Sequence, residues 1–113
     1  MTIETRERNE VTILDLKGKF TIGLGDAAIR DAIQRSVSQG KMNLLLNTAG
    51  VTTIDSSGIG ELVAAYTTIS NRGGKLKLLN LPPKLEDILQ ITQLITVFEV
   101  FEDEETAVRS FAA

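Results

Sequence analysis

The chain has 113 residues, 42% of them hydrophobic, with 12 basic and 15 acidic side chains and a net charge of −3. That length and apolar content suit one domain over residues 1–113, and its scattered acids offer no electrostatic footprint to nucleic acid or an anionic membrane. The absence of histidine and cysteine excludes disulfides, thiol catalysis, the usual zinc sites and every serine mechanism in which an imidazole takes the proton.

Any catalysis would have to run on Asp, Glu, Lys or Tyr, so a binding or switching module without a cofactor is expected rather than an enzyme. The first eight residues carry charges of both signs with no apolar stretch after them, and no run is long enough to span a membrane. A cytoplasmic location without membrane insertion is therefore expected.

Residues 3–8 alternate weakly, Asn9-Glu10 is a turn-compatible pair, and Val11-Thr12-Ile13-Leu14-Asp15-Leu16 is apolar on both faces. This predicts a hairpin whose second strand lies inside the sheet and ends at Gly18. A glycine-containing loop follows over residues 19–25. Asp26 is then placed to cap a helix to about residue 39, with Ala28, Ile29, Ala32, Ile33 and Val37 on its apolar face and Gly40 at its stop. Gly23-x-Gly25 before a helix invites a phosphate-loop reading, but the third glycine of a dinucleotide fingerprint and the Gly-Lys-Ser/Thr of a triphosphate loop are missing. A loop that needs flexible backbone is the favoured reading.

Residues 42–47, centred on Leu44-Leu45-Leu46, read as a buried parallel strand reached by a right-handed crossover. The chain runs on through residues 48–54 to Asp55-Ser56-Ser57-Gly58-Ile59-Gly60-Glu61, at the carboxyl-end side of the sheet, where ligand and partner contacts gather in open α/β folds. Ile59, Leu62, Val63, Tyr66 and Ile69 recur at intervals of three and four, so a helix starts near residues 56–58 and ends near Arg72, ahead of Gly73-Gly74. A helix start has N–H groups without acceptors and the positive end of the peptide dipole, so a hydroxyl there can cap the helix or carry a phosphate. Asp55 could cap the helix, orient a serine or contact a partner.

Lys75-Leu76-Lys77-Leu78-Leu79 predicts a strand whose alternating lysines suit a face or edge near solvent. Pro82-Pro83 can open a short helix through residue 91, and residues 97–101 predict a last strand. Glu102-Asp103-Glu104-Glu105 reads as the solvated start of a helix ending near Phe111 rather than as a metal site. The sum is an α/β domain of order β-β-α-β-α-β-α-β-α, with a mixed, mostly parallel sheet of about five strands covered by the apolar faces of about four helices.

At Asp55-Ser56-Ser57-Gly58-Ile59-Gly60 the chain resembles the anti-sigma factor antagonist family of STAS domains. The likeness extends over nearly the whole chain, through Leu16-x-Gly18-x-Phe20, the leucine strand, Gly73-Gly74, and a segment around residues 85–94 similar to the family's short third helix. It implies a regulatory binding module that captures an anti-sigma factor, itself a serine kinase, and so frees a sigma factor. The family's kinase phosphorylates the first serine of the motif, here Ser56, and capture ends; a serine phosphatase acts on the phosphoprotein. Nucleotide and magnesium would belong to the partner. Partner contact is implied at Asp55, Ser56, Ser57, Gly58 and Ile59, and at Thr21 and Gly23 in the loop after Gly18-Lys19-Phe20. Of the two serines, Ser56 is read as the switch and Ser57 as a cap.

Two positions depart from the family. Thr21-Ile22-Gly23 stands where an acidic residue is common, and Glu61, at a place usually apolar or small, adds a charge beside the switch. The competing reading is a scaffold or accessory STAS subunit of a stress-signalling assembly or a transporter, with structural serines. An enzyme using Ser56 or Ser57 as nucleophile would lack both histidine and a recognisable lysine partner.

Overall fold

The structure is a computed structural model that describes residues 1–23 and 25–112; Leu24, within the predicted glycine loop, and Ala113 lie outside the described residues. In chain order the elements are β1 (Thr2–Arg8), β2 (Val11–Phe20), α1 (Asp26–Ser38), β3 (Asn43–Ile54), α2 (Ser56–Asn71), β4 (Lys75–Leu79), α3 (Pro83–Ile91), a 3₁₀ turn (Leu94–Thr96), β5 (Val100–Phe101) and α4 (Glu104–Ser110). The strands lie side by side in the order β1-β2-β3-β4-β5, antiparallel between β1 and β2 and parallel elsewhere. The predicted element order and mixed, mostly parallel sheet are the ones observed.

Asn9 and Glu10 close the hairpin with φ of 50° and 66°, the left-handed pair that matches the natural twist of two strands. β2 is interior, as its two apolar faces predict, but Gly18 does not end it. The strand continues to Phe20, and its register against β3 shifts between Asp15 and Lys17 and again between Gly18 and Lys19. Those irregularities bend its end toward the start of α2. β3 is likewise longer than the leucine run: it continues unbroken to Ile54, although β4 pairs only with its residues 43–47.

The alternation of a strand divides the leucines between two cores. Leu44 and Leu46 join Leu14, Leu16, Phe20, Ile29, Leu62 and Ile69 beneath α1 and α2, while Leu45 joins Val11, Ile13 and Leu79 beneath Ala107 and Val108 of α4 and Phe111 just after it. Burying each such side chain contributes about 1.5–3 kcal/mol.

Three expectations about the second half of the chain are corrected. β4 lies between β3 and β5, and only Lys75 is exposed. Lys77 is 6% exposed beneath α4, where its Nζ donates to Ser110 O and Oγ at 3.1 and 2.9 Å, pairs with Glu99 at 2.9 Å and lies 4.7 Å from the centre of the Phe111 ring. The last strand is two residues long, because residues 94–96 wind into a 3₁₀ turn and Phe98 turns inward to meet Tyr66 edge-on, 5.2 Å between ring centres. The acidic run does start α4, but it is not simply solvated. Asp103 caps the helix by accepting from the Thr106 N–H at 2.9 Å, and Glu104 accepts from Arg8 at 2.9 Å and from Arg6, which also reaches Asp15.

Candidate functional site

β3 leaves the sheet at Ile54, and Asp55 keeps an extended backbone (φ −121°, ψ −174°) before the chain turns into α2 at Ser56. That geometry makes Asp55 the N-cap. Its carboxylate accepts the Gly58 N–H at 3.0 Å, the third helical residue, as a capping oxygen should. Of the three roles left open for Asp55, capping is therefore the one observed. Ser57 does not cap, contrary to expectation, because it is the second residue of the helix proper.

The other Asp55 oxygen accepts the Ile22 N–H at 3.2 Å, across 33 positions of sequence. These backbone donors, Gly58 first, hold the Asp55 carboxyl below the usual carboxylate range, so it is ionised at neutral pH. One side chain thus joins the first turn of α2 to the loop after β2.

Packing joins the same two pieces. A Cβ on Gly58 would lie 2.2 Å from the Phe20 carbonyl oxygen, and one on Gly25 would lie 2.6 Å from the Phe20 Cα. Both glycines let backbones approach more closely than any side chain allows. Gly23 has φ of 76°, and its N–H donates to Asp26 Oδ1 at 2.9 Å. Asp26 is consequently the first residue of α1 rather than its cap, with its carboxylate turned back onto the Gly23 and Ala27 N–H groups. The Gly25 N–H donates to Thr21 O at 2.9 Å. The Gly23 and Gly25 amides are spent on the loop's own carboxylate and carbonyl groups, so among the described residues they form no cradle of free amides.

The structure gathers Thr21, Gly23, Asp55, Ser56, Ser57, Gly58 and Ile59 at one end of the sheet, where β2 and β3 finish. Gly23 and Ser56 are exposed, and Thr21, Asp55, Ser57 and Ile59 are part-buried. Gly58 is buried under the end of β2, which gives it a packing role in place of the expected surface contact. Glu61 does not add a bare charge beside Ser56, because Arg30 of α1 donates to it at 3.0 Å.

Two residues of this surface escaped sequence reasoning. Ile22, 70% exposed, stands within the Thr21-Ile22-Gly23 departure but was given no role of its own. An apolar residue inside a glycine loop was its only signal. Arg30 lies 31 positions from Glu61 on the polar side of another helix, and no periodicity links them.

Chemically, the site is an exposed hydroxyl on the first residue of a 16-residue helix whose cap is supplied by a neighbour. This mixed five-stranded sheet with four helices is the STAS fold. The chain belongs to the STAS domain family, whose profile matches residues 2–107. A relative from Paenibacillus polymyxa, named anti-sigma F factor antagonist, is 24% identical over 110 residues, covering 95% of this chain and 92% of its own. The structure of the Bacillus cell fate determinant SpoIIAA in its phosphorylated form is similar at a TM-score of 0.76 and 22% identity, covering 96% of this chain and 98% of that one. A sulfate transporter family protein from Wolinella succinogenes is similar at 0.79 and 19% identity, over 93% and 87% of the two chains. At such identities the structural likeness defines the fold.

Proposed function

We propose that this chain is an anti-sigma factor antagonist, acting as one domain over residues 1–113 in the cytoplasm. It binds an anti-sigma factor that is also a serine kinase, so freeing a sigma factor, and phosphorylation of Ser56 ends the binding. It is a binding module and not an enzyme: nucleotide and magnesium belong to the partner, and a serine phosphatase regenerates the free hydroxyl.

The observation that carries this reading is the separation of Ser56 from the cap. Ser56 is exposed while Asp55 satisfies the Gly58 N–H, so a phosphate can be added without removing the interaction that starts the helix. The name of the Paenibacillus relative and the phosphorylated SpoIIAA structure support the same assignment. A phosphate brings about −1.5 to −2 charges to this surface. The helix dipole favours that charge in the free domain, whereas a partner surface fitted to a neutral hydroxyl would have to desolvate a dianion.

Incubation with the cognate kinase and ATP is expected to add one phosphate, located at Ser56 by phosphopeptide mapping. Modification at Ser57, Thr52 or Thr53 alone would overturn the assignment of the site. In calorimetry, Ser56→Ala should keep partner affinity and Ser56→Glu should lose it while remaining folded. Equal affinities for two folded variants would overturn the switch. A kinase that leaves the chain unmodified would instead favour the accessory-subunit reading.

A further inference from the structure

Ile22, Ile91 and Val97 are the large apolar side chains exposed among the described residues, and only Ile22, at 70%, lies beside the α2 start. An exposed isoleucine on a slack loop would fold back onto the surface. The described residues of this loop are tied in place. The Ile22 N–H is held by Asp55, the Gly23 N–H by Asp26, and the Gly25 and Asp26 N–H groups both point to Thr21 O. Gly25 is also wedged against Phe20. The backbone therefore holds Ile22 outward, with the ordering cost of a contact residue already met by folding.

The acidic groups around it already have partners. The Asp55 oxygens face backbone N–H groups, and Glu61 is paired with Arg30. Gly23, Ser56 and Gly60 are exposed and uncharged, and the space a Cβ would fill at Gly60 is open. An exposed apolar side chain held among small uncharged residues and acids that already have partners fits an apolar pocket.

We infer that Ile22 is the apolar anchor of the docking surface and a determinant of partner choice: the cognate serine kinase presents an apolar pocket to the loop after β2. This rests on the reading above that the partner docks at Ser56. Phosphate on Ser56 then acts beside the anchor, where seating Ile22 would carry a dianion into the drying interface.

The test is calorimetry of the full chain against the purified cognate kinase, with Ile22→Ala, Ile22→Leu and Ser56→Glu, each checked by thermal unfolding. Ile22→Ala should weaken binding about tenfold or more, as truncation of a seated anchor does. Ile22→Leu should stay within about threefold of wild type, because apolar swaps of equal volume are tolerated. Both should melt with the wild type, and added salt should weaken the wild-type complex only slightly. An Ile22→Ala affinity equal to wild type, with Ser56→Glu unable to bind, would overturn the anchor and leave the switch standing. Full binding by Ser56→Glu would sink the switch, while a loss confined to Ile22→Ala would still support the anchor. If sedimentation finds a wild-type dimer that Ile22→Ala dissolves, the pocket belongs to a second copy and the inference is wrong. Failure of the wild type to bind the kinase would overturn both.

Discussion

Alanine at Gly58 and alanine at Gly60 should move stability in opposite directions, although the two glycines lie two residues apart in the same helix. Each replacement gains helix propensity of roughly 1 kcal/mol. At Gly60 the added methyl meets nothing within 4 Å beyond its own helix backbone and chain neighbours, so most of that gain should survive as about 0.5–1 kcal/mol of stabilisation. At Gly58 the methyl would sit 2.2 Å from the Phe20 carbonyl oxygen, 2.9 Å from Ile54 Cγ1 and 3.0 Å from Phe20 Cδ1. Relief requires moving the end of β2 or the first turn of α2 by more than about 1 Å, against a core in which Phe20 is wholly buried. Overpacking of this kind costs about 1–3 kcal/mol and here also disturbs the Asp55 cap, so a net loss of about 2 kcal/mol is expected after the propensity gain. For a domain of this size that is a fall of about 8 °C in Tm for Gly58→Ala, against a rise of about 3 °C for Gly60→Ala. Urea titration with unchanged slopes is the assay. A Gly58→Ala variant within about 0.5 kcal/mol of wild type would refute the reasoning. The close approach of β2 to α2 would then not be fixed, and neither would the placement of Ile22 beside Asp55.

Other parts of the structure are open to equally direct checks. Ser56→Ala removes an exposed hydroxyl that caps nothing, so chemical denaturation should find it within about 0.5 kcal/mol of wild type; a larger loss would mean that Ser56 shares the cap. The carboxyls of Asp15, Asp55, Asp103 and Glu104 are all held below their ordinary values, by Arg6 for Asp15 and Glu104, by the Gly58 N–H for Asp55 and by Thr106 for Asp103. Their contribution is therefore complete above the unfolded values near about pH 4 and is lost as pH falls through the lower folded values. Asp55→Asn keeps a capping oxygen without the titration, so the drop in Tm between pH 6 and pH 3 should shrink; an unchanged drop would remove Asp55 from that account. Lys77→Ala strips Ser110 of its buried partner and opens a hole beneath α4, with Glu99 free to rehydrate, so about 2 kcal/mol should be lost; Lys77→Met should lose less.

What the sequence made legible was periodic or local. Leu44-Leu45-Leu46, short and bounded by turn residues, reads as a strand buried on both faces, and the spacing of Leu62, Val63, Tyr66 and Ile69 reads as one face of a helix, so element order and sheet type followed. The misreadings lie where a distant element decides. Lys77 looked like a surface lysine because strand alternation says which residues share a face but not what covers that face; α4 covers it, and Ser110 is 33 positions away. Glu61 looked like a charge beside the switch until α1 placed Arg30 against it. Ser57 was read as the cap, but Asp55 and both serines cap well, so residue type alone could not place it. The place of the cap turns on where β3 releases the chain, and the extended backbone at Asp55 puts that point one residue before Ser56.

That one-residue offset has a mechanical consequence for the proposed switch. Were Ser56 the cap, its oxygen would be committed to the Gly58 N–H, and phosphorylation would force the helix start to rearrange. With Asp55 as cap the carboxylate holds both Gly58 and Ile22, and the neighbouring hydroxyl is free to change charge. One acidic group fixes the loop after β2 against α2, and in the proposed switch a separate neutral group would decide whether docking proceeds. Asp55 is built for constancy, since its backbone donors keep it ionised through the physiological range. A phosphate on Ser56 would change the charge of this surface at constant pH, and it would do so beside Ile22, the exposed large apolar side chain at this helix start among the described residues.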